Sequence, residues 1–186
     1  MNVENNITLI DAIKEGDNKK IGRLKHKEDE INRVDKCRKN ALMYAIERDN
    51  TVLANDIIGN TKLNINAIDN NGKNALIYAI DQGNKGIAWK LLNNTNVTIR
   101  DKKGKSALMY ALQKGSIMED IIEVLMGDVK YDDKDKNGCS VLMYACSGGY
   151  KLAVEKLIGM MPESNMEEIL NYNTKGVTAL RVAAEK

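Results

Sequence analysis

A short apolar word, Ala-Leu-(Met or Ile)-Tyr-Ala, recurs at residues 41–45, 75–79, 107–111 and, with Val141 in first place, 141–145. Its copies start 34, 32 and 34 residues apart. Within and just beyond each copy the apolar positions follow helical spacing: Leu76, Ala79 and Ile80 share one face, as do Leu108, Ala111 and Leu112. Each word therefore predicts a short amphipathic helix. A glycine follows at Gly83, Gly115 and Gly149, and then a second helical pattern, Ile87, Ala88, Leu91 and Leu92 in one unit and Val154, Leu157 and Ile158 in another. Short extended stretches at 65–68 and 97–100 are expected to lead into the next unit. A period in this range marks stacked repeats, whose units are too small to bury an apolar face alone and share a core with their neighbours.

Polar residues punctuate the pattern at fixed offsets. Asp69 precedes Gly72, Asp101 precedes Gly104 and Asp135 precedes Gly138; such Asp-x-x-Gly segments make tight turns, because Asp bonds its own nearby backbone and Gly accepts positive φ. Asn74, Ser106 and Ser140 then stand where a helix N-cap is needed. The unit reads as turn, helix, glycine, helix.

This pattern resembles the ankyrin repeat family, whose 33-residue unit carries Thr-Pro-Leu-His-x-Ala in the slot filled here by Asn74-Ala75-Leu76-Ile77-Tyr78-Ala79. Leucine, final alanine, opening Asp-x-x-Gly and inter-helix glycine agree, while Pro and His are replaced by Ala and by Met or Ile. The resemblance covers nearly the whole chain. It implies an all-α solenoid of stacked helix-turn-helix units with projecting turns, arranged as one array over residues 1–186. The units fall near 1–34, 35–68, 69–100, 101–134 and 135–172, with a partial one at 173–186.

The ends are degenerate. Thr8, Leu9, Ala12 and Gly16, then Ile21 and Leu24, read as an N-terminal unit, and Thr178, Leu180 and Ala183 as a last first helix that is either a natural cap or the point where a longer chain was cut. The unit opening at Asp35 has Arg38 and Asp49 in place of glycine. The unit from Asp101 carries two extra residues, expected in its second helix, and the stretch 158–173 is long and holds the lone proline, Pro162.

Composition narrows the chemistry. Aromatics make up 4% with no Phe, so the core is aliphatic, and a formal charge of +2 announces neither nucleic acid nor membrane. Three cysteines, Cys37, Cys139 and Cys146, lack CxxC spacing and read as free thiols of a reducing, cytoplasmic setting. No apolar run is long enough to span a bilayer, and no Sec-type leader is visible. The Asn-x-Thr triplets at Asn6, Asn93 and Asn96 would matter only in a secretory compartment.

Catalytic and metal constellations are thin. His26, the single histidine, and Cys37 have no orienting acid or glycine-rich elbow around them. Asp133, Asp135, Asn137 and Gly138 imitate the opening of a calcium loop, but position twelve is Tyr144, not a bidentate Glu, and the repeat register already explains Asp135 and Gly138. No catalytic residue, metal ligand or cofactor is expected. Tyr44, Tyr78, Tyr110 and Tyr144, one per unit, read as packing between helices, with the hydroxyl at the edge.

The turn tips 36–39, 70–73, 102–105 and 136–139 hold eight basic residues and no acidic one. Such a row would attract a protein with an acidic face. The resemblance implies a non-enzymatic module that grips another protein by its turn tips and by the exposed ends of its first helices. Carried over residue by residue, the contacts are Lys36, Lys39, Glu47 and Arg48; Asn70, Asn71, Lys73, Asp81 and Gln82; Lys102, Lys103, Lys105, Gln113 and Lys114; Lys136 and Asn137. A monomer is expected. The rival readings are a spacer or targeting segment of a larger protein and a calcium-binding or enzymatic protein.

Overall fold

The computed structural model describes residues 7–127 and 129–162, so the expected half-unit around Thr178, Leu180 and Ala183 lies outside the described residues. The chain divides into two compact units, Met1–Asn96 and Val97–Lys186. Among the described residues the architecture is all-α, and pairing between extended segments is limited to the isolated bridges Val34 to Asn40, Arg100 to Ser106 and Lys134 to Ser140.

In the first unit, α1 (Leu9–Glu15), α4 (Ala41–Glu47) and α6 (Ala75–Asp81) pack in succession, and each leans on its partner α2 (Asn18–Leu24), α5 (Thr51–Ile58) or α7 (Lys85–Leu92). A one-turn helix, α3 (Glu28–Ile31), sits in the first connection. In the second unit α8 (Ala107–Lys114) packs on α10 (Val141–Gly148), with α9 (Glu119–Leu125) and α11 (Lys151–Gly159) behind them. The apolar word is the core. Leu42, Leu76 and Leu142 are almost fully enclosed, as are Ala41, Ala45, Ala75, Ala79 and Ala145, small residues that let neighbouring helices approach closely. Each buried Leu or Ile contributes about 1.5–3 kcal/mol, whereas helices this short would be marginal alone.

Helix starts follow the local signals. Asn40, Asn74, Ser106 and Ser140 each accept the N–H of the third helical residue, and Thr8 with Asp11 forms a full capping box. Arg38 and Asp49 show how far packing overrides local preference. Both take positive φ, 60° and 53°, in the slots where Gly72 and Gly83 have 80° and 78°. A side chain in that region costs about 1–2 kcal/mol, less for Asp, and the turn is held because the layers around it fix its shape.

Two expectations differ from the outcome. The extended stretches at 65–68 and 97–100 each begin as a turn instead, at Ile65 and Asn66 and at Val97 and Thr98, because the short connection must reverse direction before the next aspartate. The two extra residues of the Asp101 unit lie ahead of α9, not in it, as a 3-10 segment, Gly115–Met118, with Met118 buried. The insertion is thus absorbed where the helix pair turns.

Candidate functional site

The aspartate that opens each turn organises it. Asp35 Oδ1 accepts the backbone N–H groups of Cys37 and Lys39 at 2.9 and 3.0 Å, while Oδ2 accepts the Tyr44 hydroxyl at 2.6 Å. The same three bonds recur from Asp69 to Asn71, Lys73 and Tyr78, all at 2.8 Å. They recur again from Asp101 to Lys103, Lys105 and Tyr110 at 2.9, 2.8 and 2.9 Å, and from Asp135 to Asn137, Cys139 and Tyr144 at 2.8, 2.9 and 3.0 Å. One carboxylate therefore shapes the turn with one oxygen and ties it to the first helix with the other. Tyr78 and Tyr110 are buried, and Tyr44 and Tyr144 half-buried. Their hydroxyls, expected at the edge, turn to the aspartates.

Three of the basic tip residues fold back over these rings. Lys39 Nζ lies 2.5 Å from Glu47 Oε1 and 5.5 and 5.1 Å from the Tyr44 and Tyr78 ring centres. Lys73 Nζ is 2.8 Å from Asp81 Oδ2 and 5.7 Å from the Tyr78 ring. Lys105 bonds Gln113 Oε1 and stands 3.8 and 4.8 Å from the Tyr110 and Tyr144 rings. Lys14 joins from α1, 4.5 Å from the Tyr44 ring and 3.5 Å from Asp35. A cation on an aromatic face contributes about 0.5–2 kcal/mol, more as water is excluded. These lysines serve the scaffold.

The residues named from the sequence therefore separate into two groups. Lys36, Asn70, Asn71, Lys102, Lys103, Lys136 and Asn137 are exposed at the tips, with Arg48, Gln82 and Gln113 exposed near the ends of first helices. Lys39, Glu47, Lys73 and Asp81 are half-buried in the ion pairs just described, Lys105 is buried and Lys114 is half-buried. Arg38, which sequence reasoning left out of the contact set, is exposed beside Lys36. A signal for the inward lysines was present: where the residue four after the aspartate is lysine, the residue twelve after it carries a side-chain oxygen long enough to reach it, in Lys39 with Glu47, Lys73 with Asp81 and Lys105 with Gln113, and both are replaced together in Cys139 with Ser147.

Backbone bonds join neighbouring tips within each unit. Asn70 N–H donates to Cys37 O at 2.8 Å and its side chain to Lys36 O at 3.0 Å; Lys136 N–H donates to Lys103 O at 2.8 Å. The second of these brings Lys102, Lys103 and Lys136 onto adjoining tips of the second unit. Their charge faces water, while Asp101 and Asp135 beneath are buried and committed to turn and tyrosine.

Burial pushes the phenols of Tyr44, Tyr78 and Tyr144 up, and the bond to an aspartate adds to it. Tyr150, buried and bonded to Glu119 at 3.0 Å, is pushed up to about 12 for the same two reasons. Burial alone would raise Asp35, but the Tyr44 hydroxyl, the Lys39 and Cys37 N–H groups and Lys14 together hold it below the usual range. A phenol raised in the folded state contributes stability that is complete below its unfolded value near 10 and is lost as pH climbs toward the folded value. Alkaline titration should therefore give a cooperative step above about pH 10 in which the phenolates of Tyr44, Tyr78, Tyr144 and Tyr150 appear as helical circular dichroism disappears. Ionisation of Tyr78 or Tyr144, followed by its own ring resonance, while the helices stay intact would contradict the geometry.

The remaining sequence candidates are placed apart or already engaged. His26, in the turn after α2, and Cys37 are both exposed, and no hydrogen bond joins them. Asp133 pairs with Arg100 at 2.6 Å, and Arg100 also donates to Gly104 O at 2.9 Å, so the guanidinium ties this carboxylate to the preceding turn. Among the described residues no helix is long and apolar enough to cross a membrane.

A family model described as ankyrin repeats (three copies) matches residues 9–101, 57–135, 87–167 and 108–186, which together span nearly the full length. No curated protein matches the chain.

Proposed function

The chain belongs to the ankyrin repeat family, a family of protein–protein interaction modules, and from that premise we propose that it binds a protein with an acidic face through its turn tips and the exposed ends of its first helices. One observation carries this reading: Lys102, Lys103 and Lys136 stand exposed on hydrogen-bonded neighbouring tips, and the acids of those turns are buried beneath them. Rigidly spaced cations steer an acidic partner toward the surface and set its register, and the neutral Asn137, Gln113 and the Asn70–Asn71 pair supply adaptable hydrogen bonds around them. Lys39, Lys73 and Lys105 hold the surface in shape. The protein works in this reading as a monomer in the cytoplasm, without metal or cofactor.

The test begins with affinity capture and mass spectrometry to isolate a partner. The variant Lys102→Glu/Lys103→Glu/Lys136→Glu should then weaken its binding about tenfold or more at low salt, mostly through slower association, and leave the melting temperature unchanged. Equal affinity of the variant at low salt would remove the basic tips from the interface.

A further inference from the structure

Two residues other than glycine hold positive φ among the described residues, Arg38 at 60° and Asp49 at 53°, and both belong to the layer opened by Asp35. Side chains are disfavoured in that region, and such positions persist where the fold fixes them and something depends on them. For Asp49 the use is internal: its Oδ1 accepts the side-chain N–H of Asn84, the cap of α7, at 3.3 Å. Arg38 is exposed. It fills the slot that Gly72, Gly104 and Gly138 hold in the other layers at 80°, 78° and 80°, so only this tip carries a side chain there.

The turn that carries Arg38 is pinned on both sides. Arg38 N–H donates to Asp35 O at 2.9 Å, Asp35 Oδ1 accepts the N–H groups of Cys37 and Lys39, and Cys37 O accepts the Asn70 N–H at 2.8 Å. The direction of the side chain follows from the equivalent slot in a later layer. A Cβ built on Gly104 meets Lys136 Cγ and N, both at 3.0 Å, so a side chain launched here leads along the row of tips toward the next turn. After Arg38 the place of Lys136 is taken by the shorter Asn70, whose amide folds back onto Lys36 O at 3.0 Å. The acids of these two turns are committed, Asp35 to Tyr44 and Lys14 and Asp69 to Tyr78 and its own backbone. We propose that Arg38 is the residue with which the first unit selects its partner: the guanidinium takes the carboxylate of a Glu or Asp side chain of the bound protein in a bidentate pair, with the exposed Lys36 beside it. Resting on the reading of the tips as a protein-binding surface, this separates two tasks. The tip lysines attract negative charge as point charges, whereas a planar guanidinium on a fixed turn demands a carboxylate in one orientation. A turn kept less stable than glycine would make it is the mark of that second task.

The test uses the full chain with nitrogen-labelled arginine and two capped peptides, acetyl-Glu-Gly-Glu-Gly-Glu-amide and its glutamine analogue. The acidic peptide should give a saturable shift of the Arg38 Nε–H resonance, identified by its loss in Arg38→Lys, and the glutamine peptide should not. Arg38→Lys keeps the charge but lacks the planar fork, and its affinity for the acidic peptide, followed at the Cys37 backbone N–H, should fall about threefold or more. Arg38→Gly should bind no better than the lysine variant and should melt about 2–4 °C higher, since glycine takes this φ without strain. No Arg38 shift, an equal shift with the glutamine peptide, full binding by Arg38→Lys, or a melting temperature that does not rise in Arg38→Gly overturns the proposal. Lys102→Glu/Lys103→Glu/Lys136→Glu should leave the Arg38 shift in place. Shifts at Lys102 and Lys103 without one at Arg38 would remove Arg38 and keep the basic tips, so the two readings fail separately.

Discussion

Replacing Asp69 by alanine should destabilise the protein by about 3 kcal/mol, more than the same change at Asp35, although the two residues make matching bonds. Asp69 is 3% exposed and accepts four donors: the N–H groups of Asn71 and Lys73, the Tyr78 hydroxyl and, at 3.3 Å, the Asn71 side chain. Removal of the carboxylate leaves the Tyr78 hydroxyl as an unsatisfied donor in a site where the residue is 5% exposed, and water cannot reach it without opening the layer. Asp35 and Tyr44 are only half-buried, so water can replace the lost carboxylate and the cost should stay near 1 kcal/mol. Urea denaturation of both variants measures the difference. Equal losses at the two positions would mean that burial of the phenol does not set the cost. Asp69→Asn should fall between parent and alanine variant, because an amide oxygen still serves the two backbone donors but the charge that strengthens all four bonds is gone.

The features legible in the sequence are those fixed within a few residues. The apolar word, the Asn and Ser caps and the Asp-x-x-Gly turns act through bonds between near neighbours, and the structure places them where the register puts them. The fate of the tip lysines is different, because it depends on a tyrosine five residues on and an acid eight residues on that only the folded layer brings under the turn, as for Lys39 with Tyr44 and Glu47. Counting charge along the tips does not separate Lys39, Lys73 and Lys105 from Lys36 and Lys102, yet Lys39 and Lys73 are ion-paired within their layers and Lys105 is buried against Gln113 and the tyrosine rings. The paired positions within the repeat, lysine with Glu, Asp or Gln and Cys139 with Ser147, carried that information. Nothing local distinguished Gly148 from its neighbour Gly149 in the same way, since either could end a helix.

Gly148→Ala should be among the most damaging single-methyl additions in the second unit, costing about 3 kcal/mol, although alanine is favoured over glycine inside a helix by about 1 kcal/mol. Gly148 closes α10 where that helix meets α8. A Cβ built on it lies 1.8 Å from Leu112 O and 3.0 Å from Leu112 C, and a Cβ on Gly115 lies 2.4 Å from Gly148 O. The obstacle is backbone on both sides, so no side-chain rotation relieves it and the two helices must separate, exposing part of the seam formed by Leu112, Ala111 and Ala145. Propensity and clash have opposite signs here, and the clash wins because the gap is far below van der Waals contact. Gly149→Ala supplies the control: its φ is 67° and nothing lies within 4 Å of the added atom, so its cost is the left-handed strain alone, about 1 kcal/mol. Urea denaturation should rank Gly148→Ala well below Gly149→Ala, with Ser147→Ala close to the parent. If Gly148→Ala proved as stable as the parent, α8 and α10 would have to be further apart than the close backbone approach that defines this layer.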